Sequence, residues 1–163
     1  MPTVYSWNLA RKQRAAGTYT ESEVNRKLKQ HPVIMAVSMT LVTVILVGVG
    51  IVMFTGNIDY TFTDTALIIE ADYHADSTVA YEKIDSIEFR ETAPAGIREW
   101  GFASARLLMG FFSNEEFGNH TRYSYTGTDA HIVLTCGDNV LILSDRDENA
   151  TRALYEALLT RLP

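Results

Sequence analysis

Residues 33–54 read VIMAVSMTLVTVILVGVGIVMF, a run of 22 residues without a single charge. At about 1.5 Å per residue, a helix of this length measures roughly 33 Å, which matches the hydrocarbon core of a bilayer at about 30 Å. The hydroxyls of Ser38, Thr40 and Thr43 are tolerated in such a helix because they can bond to carbonyls of the preceding turn. The sequence therefore predicts a transmembrane helix over residues 32–55 and an integral, single-pass membrane protein. A buried core helix is the alternative.

Charge is divided unevenly on the two sides of this run. Residues 1–31 hold six basic and two acidic side chains, whereas the part after residue 55 holds eight basic and eighteen acidic ones. Lys and Arg close to a membrane helix favour the cytoplasmic side. We therefore expect a basic cytoplasmic tail over 1–31, with a short helix, and an extracytoplasmic carboxyl-terminal domain at the cell membrane. An acidic domain also argues against nucleic acid as a partner, because its phosphates would be repelled.

Beyond Gly56 the apolar residues alternate with polar ones, which is typical of half-buried strands. Seven short strands are predicted, at residues 58–63, 66–71, 78–83, 86–91, 120–126, 132–136 and 139–144. A helix follows, with a cap predicted at Asp145 and an apolar stripe that includes Leu154, Leu158 and Leu162. This order predicts a mainly-β barrel or sandwich, covered at one end by the carboxyl-terminal helix.

The stretch REWGFASARLLMGFF at 98–112, followed by Phe117-Gly118 and Tyr123-Ser124-Tyr125, resembles the signature of a bacterial pleckstrin-homology-like domain family. The resemblance covers about residues 58–162 and assigns 58–163 to one domain. It implies a seven-stranded barrel capped by a helix, membrane helices ahead of it, and no catalytic residues. Eukaryotic relatives hold inositol phosphates with several Lys and Arg in the first hairpin. The matching turn here is Thr63-Asp64-Thr65, which argues against phosphoinositide binding.

Residues 92–119 form the longest interval between predicted strands. Loops this long tend to be functional or disordered, and the aromatic content argues against disorder, so we expect an ordered insertion. It could be a binding surface with aromatic anchors and arginines for acidic groups, or it could seal the barrel, with its arginines paired to Glu88, Glu91 or Glu99. The candidate binding residues are Arg98, Trp100, Phe102, Arg106 and Phe111.

The remaining chemistry-bearing residues favour structural interpretations. Asp72, His74 and Asp76 alternate as metal ligands could, but the pattern is more typical of a solvated turn; Ser104 lacks the motif of a nucleophile, and the single Cys136 lies in an apolar strand. We expect no enzymatic activity, no cofactor and no metal. The sequence favours a membrane-anchored interaction module that binds a protein or a second copy of itself. The alternative is binding of a lipid headgroup or small ligand at residues 92–119.

Overall fold

The computed structural model describes residues 21–162, together with residues 8, 11 and 12. The chain divides into two compact units, Met1–Val49 and Gly50–Pro163. Helix α1 (Glu21–Phe54) contains the apolar segment Pro32–Phe54, which is long and apolar enough to cross a membrane. None of its most apolar window is buried in the protein, which is not the environment of a core helix.

The hydroxyls in α1 are bonded as the sequence predicts. Ser38 donates to the carbonyl of Met35, and Thr40 and Thr43 donate to carbonyls one turn earlier, at distances of 2.9–3.0 Å. These bonds satisfy the polar groups inside the helix, so that an apolar environment does not leave them unpaired. The apolar helix predicted over residues 32–55 is confirmed as part of α1, which ends at Phe54 but begins already at Glu21, so that the short tail helix and the apolar helix are one.

In its described part, the second unit contains nine strands, one 3-10 helix and a carboxyl-terminal helix. The strands are β1 (Ile58–Phe62), β2 (Ala66–Ala71), β3 (Ser77–Ala80), β4 (Ser86–Arg90), β5 (Ile97–Ala103), β6 (Leu107–Asn114), β7 (Gly118–Tyr125), β8 (His131–Cys136) and β9 (Asn139–Leu143). The count of seven is therefore wrong, because residues 92–119 supply two further strands. The end of the strand predicted over 78–83 is also corrected, since Tyr81–Lys83 forms the 3-10 helix.

The strands form two sheets. One has the order β1-β2-β3 and is antiparallel; the other has the order β4-β8-β9-β7-β6-β5 and is antiparallel except where β7 runs parallel to β9. The two sheets do not close into a barrel. Their facing sides and the carboxyl-terminal helix enclose the main core, which includes Leu67, Ile69, Leu107, Met109, Ile132, Leu134, Leu154 and Leu158.

Helix α2 (Glu148–Leu159) begins two residues later than the predicted cap implies. Asp147, not Asp145, is the cap, and its carboxylate accepts a hydrogen bond from the Ala150 backbone N–H at 2.8 Å. The Asp145 carboxylate instead accepts the N–H of Arg146. The apolar stripe is confirmed by Leu154 and Leu158, which are buried against the sheets.

Candidate interaction surface

Residues 92–119 contain a β-hairpin where the sequence predicted a long ordered insertion. Strands β5 and β6 pair in an antiparallel manner and are joined by a turn at residues 104–106. The Ser104 hydroxyl accepts the backbone N–H groups of Arg106 and Leu107, at 3.1 and 3.0 Å, and so holds the turn. Strand β5 forms the edge of the six-stranded sheet.

Two glycines determine the path of this hairpin. Gly101 and Gly110 lie directly opposite each other, with φ angles of +127° and +125°. A Cβ atom at Gly101 would lie 2.2 Å from the carbonyl oxygen of Met109, and one at Gly110 would lie 2.3 Å from that of Trp100. Side chains cannot be accommodated at such distances, so the two strands approach here only because both residues are glycine.

One side of the hairpin carries large apolar side chains in solvent. Trp100 lies opposite Phe111 in the register, and residues opposite each other share a face of the sheet. Ile97 lies opposite Ser113, two residues beyond Phe111, and shares the same face. The exposed fractions are 74% for Ile97, 63% for Trp100 and 52% for Phe111. We call these three residues the aromatic face.

The aromatic face continues the core. On β6, Leu107 and Met109 point to the same side as Phe111 and are fully buried. The side of β6 that faces the core is thus covered near the turn and open at its far end.

Aromatic contacts support the face from behind. The Trp100 ring lies 6.2 Å from that of Phe111 and 5.4 Å from that of His74, which in turn lies 5.6 Å from the Tyr123 ring. Burial lowers the pKa of His74 below its ordinary value, which favours the neutral ring. These contacts pack the Trp100 ring against His74 and Phe111 on the surface of the domain.

The other predicted site residues lie elsewhere on the hairpin. Phe102 is half-buried, and its ring packs 5.1 Å from that of Tyr73, so it supports the hairpin and is not free to serve as an anchor. Arg98 lies opposite Phe112, which is buried on the other face. Arg106 donates to the side-chain oxygen of Asn57 at 3.1 Å. The five residues therefore do not converge on one point.

The predicted pairing of these arginines with the domain's own acids is not found. Within the described residues, Arg98 and Arg106 form no ion pair. Glu88 pairs with Arg90, whose guanidinium also contacts Glu116. Ion pairs between these two arginines and acids of the same domain therefore do not hold residues 92–119 in place.

A buried cationic cluster, which the sequence reasoning missed, holds the segment in front of β5. Arg122 is only 1% exposed, and burial lowers its pKa to about 10. Its guanidinium donates to the carbonyls of Ala93 and Pro94, at 2.7 and 3.2 Å, and to Nε2 of His131 at 2.9 Å. The only sequence signal is the alternation of His120, Arg122 and Ser124 on one face of a strand, which surface residues would also give.

Comparison of the chain with protein-family models, with curated proteins and with solved structures finds no match. The resemblance to pleckstrin-homology-like domains therefore stays a prediction.

Proposed function

We propose that this chain is a membrane-anchored, non-enzymatic interaction module whose aromatic face binds a protein. The observation that carries the proposal is the exposure of Ile97, Trp100 and Phe111 together on one ordered hairpin. Exposed apolar groups of this kind mark interaction sites, and tryptophan is enriched among the residues that dominate binding energy.

The membrane anchor of this proposal is the apolar segment Pro32–Phe54 of α1. The excess of basic residues before it and of acidic residues after it supports a cytoplasmic tail and an extracytoplasmic domain. A second copy of the chain is the first partner to test, since every copy shares the same membrane and the same aromatic face.

A pleckstrin-homology-like fold for residues 58–163 belongs to the same proposal. Two packed sheets followed by a carboxyl-terminal helix support it. The nine strands and the open sheets depart from the seven-stranded barrel that the resemblance implies.

Binding of a lipid headgroup or small ligand is the competing function for this hairpin. An anionic headgroup needs converging cationic groups. Arg98 is on the opposite face from Trp100, and Arg106 is bonded to Asn57 at the turn. The aromatic face therefore lacks a cationic partner for such a headgroup from either arginine, which favours a protein occupant.

Site-specific photo-crosslinking in intact cells tests this function. A photoreactive amino acid in place of Phe111, in the full chain, should give adducts between two differently tagged copies. Trp100→Ala should lower the yield by about tenfold or more, because loss of a central anchor costs about 2 kcal/mol or more of binding energy.

Two controls accompany this experiment. The same photoreactive residue at exposed Thr78 on β3 should give no such adduct, and Leu159→Ala, which truncates an exposed leucine on α2, should leave the yield at position 111 unchanged. Adducts to lipid alone, or a yield that Trp100→Ala does not alter, would reject the proposed function.

A further inference from the structure

We infer that the interaction module is acid-sensitive: protonation of His131 releases the β4–β5 connection (residues 91–96) and with it the aromatic face. The effect of this release on binding rests on the proposed function, but the release itself is a property of the fold. It follows from a buried contact between Arg122 and His131 that can form only while the imidazole is neutral.

Buried contacts and hydrogen bonds hold the β4–β5 connection against the six-stranded sheet. Ala93 is buried against Val133 and Ile142, and its carbonyl accepts a hydrogen bond from Arg122. The carbonyl of Pro94 accepts from Arg122 and from the side chain of Asn114 at 2.8 Å. Ile97, the first residue of the aromatic face, follows directly after this connection.

The protonation state of His131 follows from its partners. An arginine guanidinium has donors only, so Nε2 of His131 must accept the bond from Arg122 and carry no proton. The proton lies on Nδ1, which donates to the carbonyl of Asp129 at 2.6 Å. A second proton on Nε2 would turn this bond into two donors facing each other and place two cations in contact.

Among the described residues, no carboxylate bonds to the His131 ring to compensate for the positive charge that the second proton would bring. The charged and titratable groups around His131 are Arg122 on β7, Arg90 on β4 with its partners Glu88 and Glu116, and the nearby Asp129. Arg90 already engages both glutamates, and Asp129 contacts the ring through its backbone carbonyl. A protonated His131 therefore repels Arg122 at close range.

The direction of the pH effect follows from the same contacts. Burial, and secondarily the charge of Arg122, lower the pKa of His131 below its ordinary value of 6.5. The contact with Arg122 is thus complete above about pH 6.5, and its stabilisation is lost as the pH falls through the lower pKa of the folded state. Because Arg122 also holds the carbonyls of Ala93 and Pro94, its displacement loosens the connection that leads into β5.

Hydrogen–deuterium exchange of the full chain in lipid nanodiscs tests this release. After correction for intrinsic exchange rates, protection of the amides of β5, which pairs with β6 directly after the connection, should fall by about tenfold or more between about pH 7.5 and about pH 5, while β8 and β9 stay protected. His131→Gln, which retains an acceptor and does not titrate, should abolish the pH dependence. If that variant fails to fold, His131→Asn takes its place.

His120→Gln is the matched control. His120 is also buried and its pKa is also lowered, mainly by burial, but it makes no bond to Arg122. The pH dependence should therefore persist in this variant. Unchanged protection in the wild type, persistence of the effect in His131→Gln, or its loss in His120→Gln alone would overturn the acid release.

Crosslinking at position 111, repeated at both pH values, separates the two proposals. An adduct that weakens at low pH in the wild type but not in His131→Gln supports both. Acid-dependent exchange without any adduct at either pH supports the release and rejects the proposed function. An adduct that is equally strong at both pH values overturns the regulatory inference while retaining the interaction.

Discussion

Replacing Gly101 with alanine is expected to lower the free energy of unfolding of the β-rich unit by about 4 kcal/mol or more. The new Cβ would lie 2.2 Å from the Met109 carbonyl oxygen, and the φ angle of +127° disfavours any side chain. Backbone strain of this kind costs about 1–3 kcal/mol by itself, and the strands must also separate to relieve the contact. Urea unfolding of the full chain in detergent micelles, followed by circular dichroism, measures the loss.

Gly118→Ala provides the control for this substitution. Gly118 also has a positive φ, of +61°, but a Cβ atom there would meet nothing within 4 Å. Its cost should be only about 1–2 kcal/mol, the penalty of the left-handed backbone for an L-residue. Equal effects of the two substitutions would show that close approach of β5 and β6 does not determine the hairpin.

Replacing Leu154 with aspartate should be comparably damaging. Leu154 is buried between α2 and the sheets, where a carboxylate would lose its hydration without a partner. Burial of an unpaired charge costs several kcal/mol, a large part of the stability of a domain this size. We expect unfolding, or a fall in the free energy of unfolding of about 4 kcal/mol, measured under the same conditions.

The neighbouring residue on the same helix gives the comparison. Ala153 is exposed, so Ala153→Asp should change the free energy of unfolding by no more than about 0.5–1 kcal/mol. If Leu154→Asp is tolerated as well as Ala153→Asp, α2 does not pack on the sheets as described.

Most of the fold follows from local pattern. Each of the seven predicted strands overlaps a strand of the structure, with the end of the one predicted over 78–83 replaced by a 3-10 helix, and the Gly137-Asp138 turn joins β8 to β9 as a two-residue hairpin. In β1 and β4 the residues alternate because one side of the strand faces the core and the other does not, whereas β8 is buried on both sides. The apolar periodicity located the carboxyl-terminal helix, although two aspartates, Asp145 and Asp147, precede its first turn and could each act as a cap.

The hairpin of β5 and β6 could not be predicted in this way. Its apolar residues fall on both faces, because Phe112 is buried on one side while Phe111 is exposed on the other. Gly101 and Gly110 interrupt what alternation remains. Both features weaken the alternation of apolar and polar residues that is typical of a strand. The sequence of this hairpin therefore resembles that of an irregular loop.

The candidate site could be predicted only in part from the sequence. Aromatic residues in an acidic domain indicated anchors, and Trp100 and Phe111 do share an exposed face. The position of Arg98 depends on a register shift between Arg98 and Trp100, which sequence does not reveal. The contact of Arg122 with His131 depends on β7 lying parallel to β9, a non-local pairing that no short segment encodes.

Quenching of Trp100 fluorescence in native membranes tests the central claim most directly. Trp7→Phe leaves Trp100 as the single tryptophan of the chain. If the aromatic face binds a protein, Trp100 should be shielded from aqueous acrylamide in native membranes, should become accessible when the chain is diluted into excess lipid, and should not be quenched by brominated lipid. Free access of acrylamide in native membranes, or strong quenching by brominated lipid, would contradict the account.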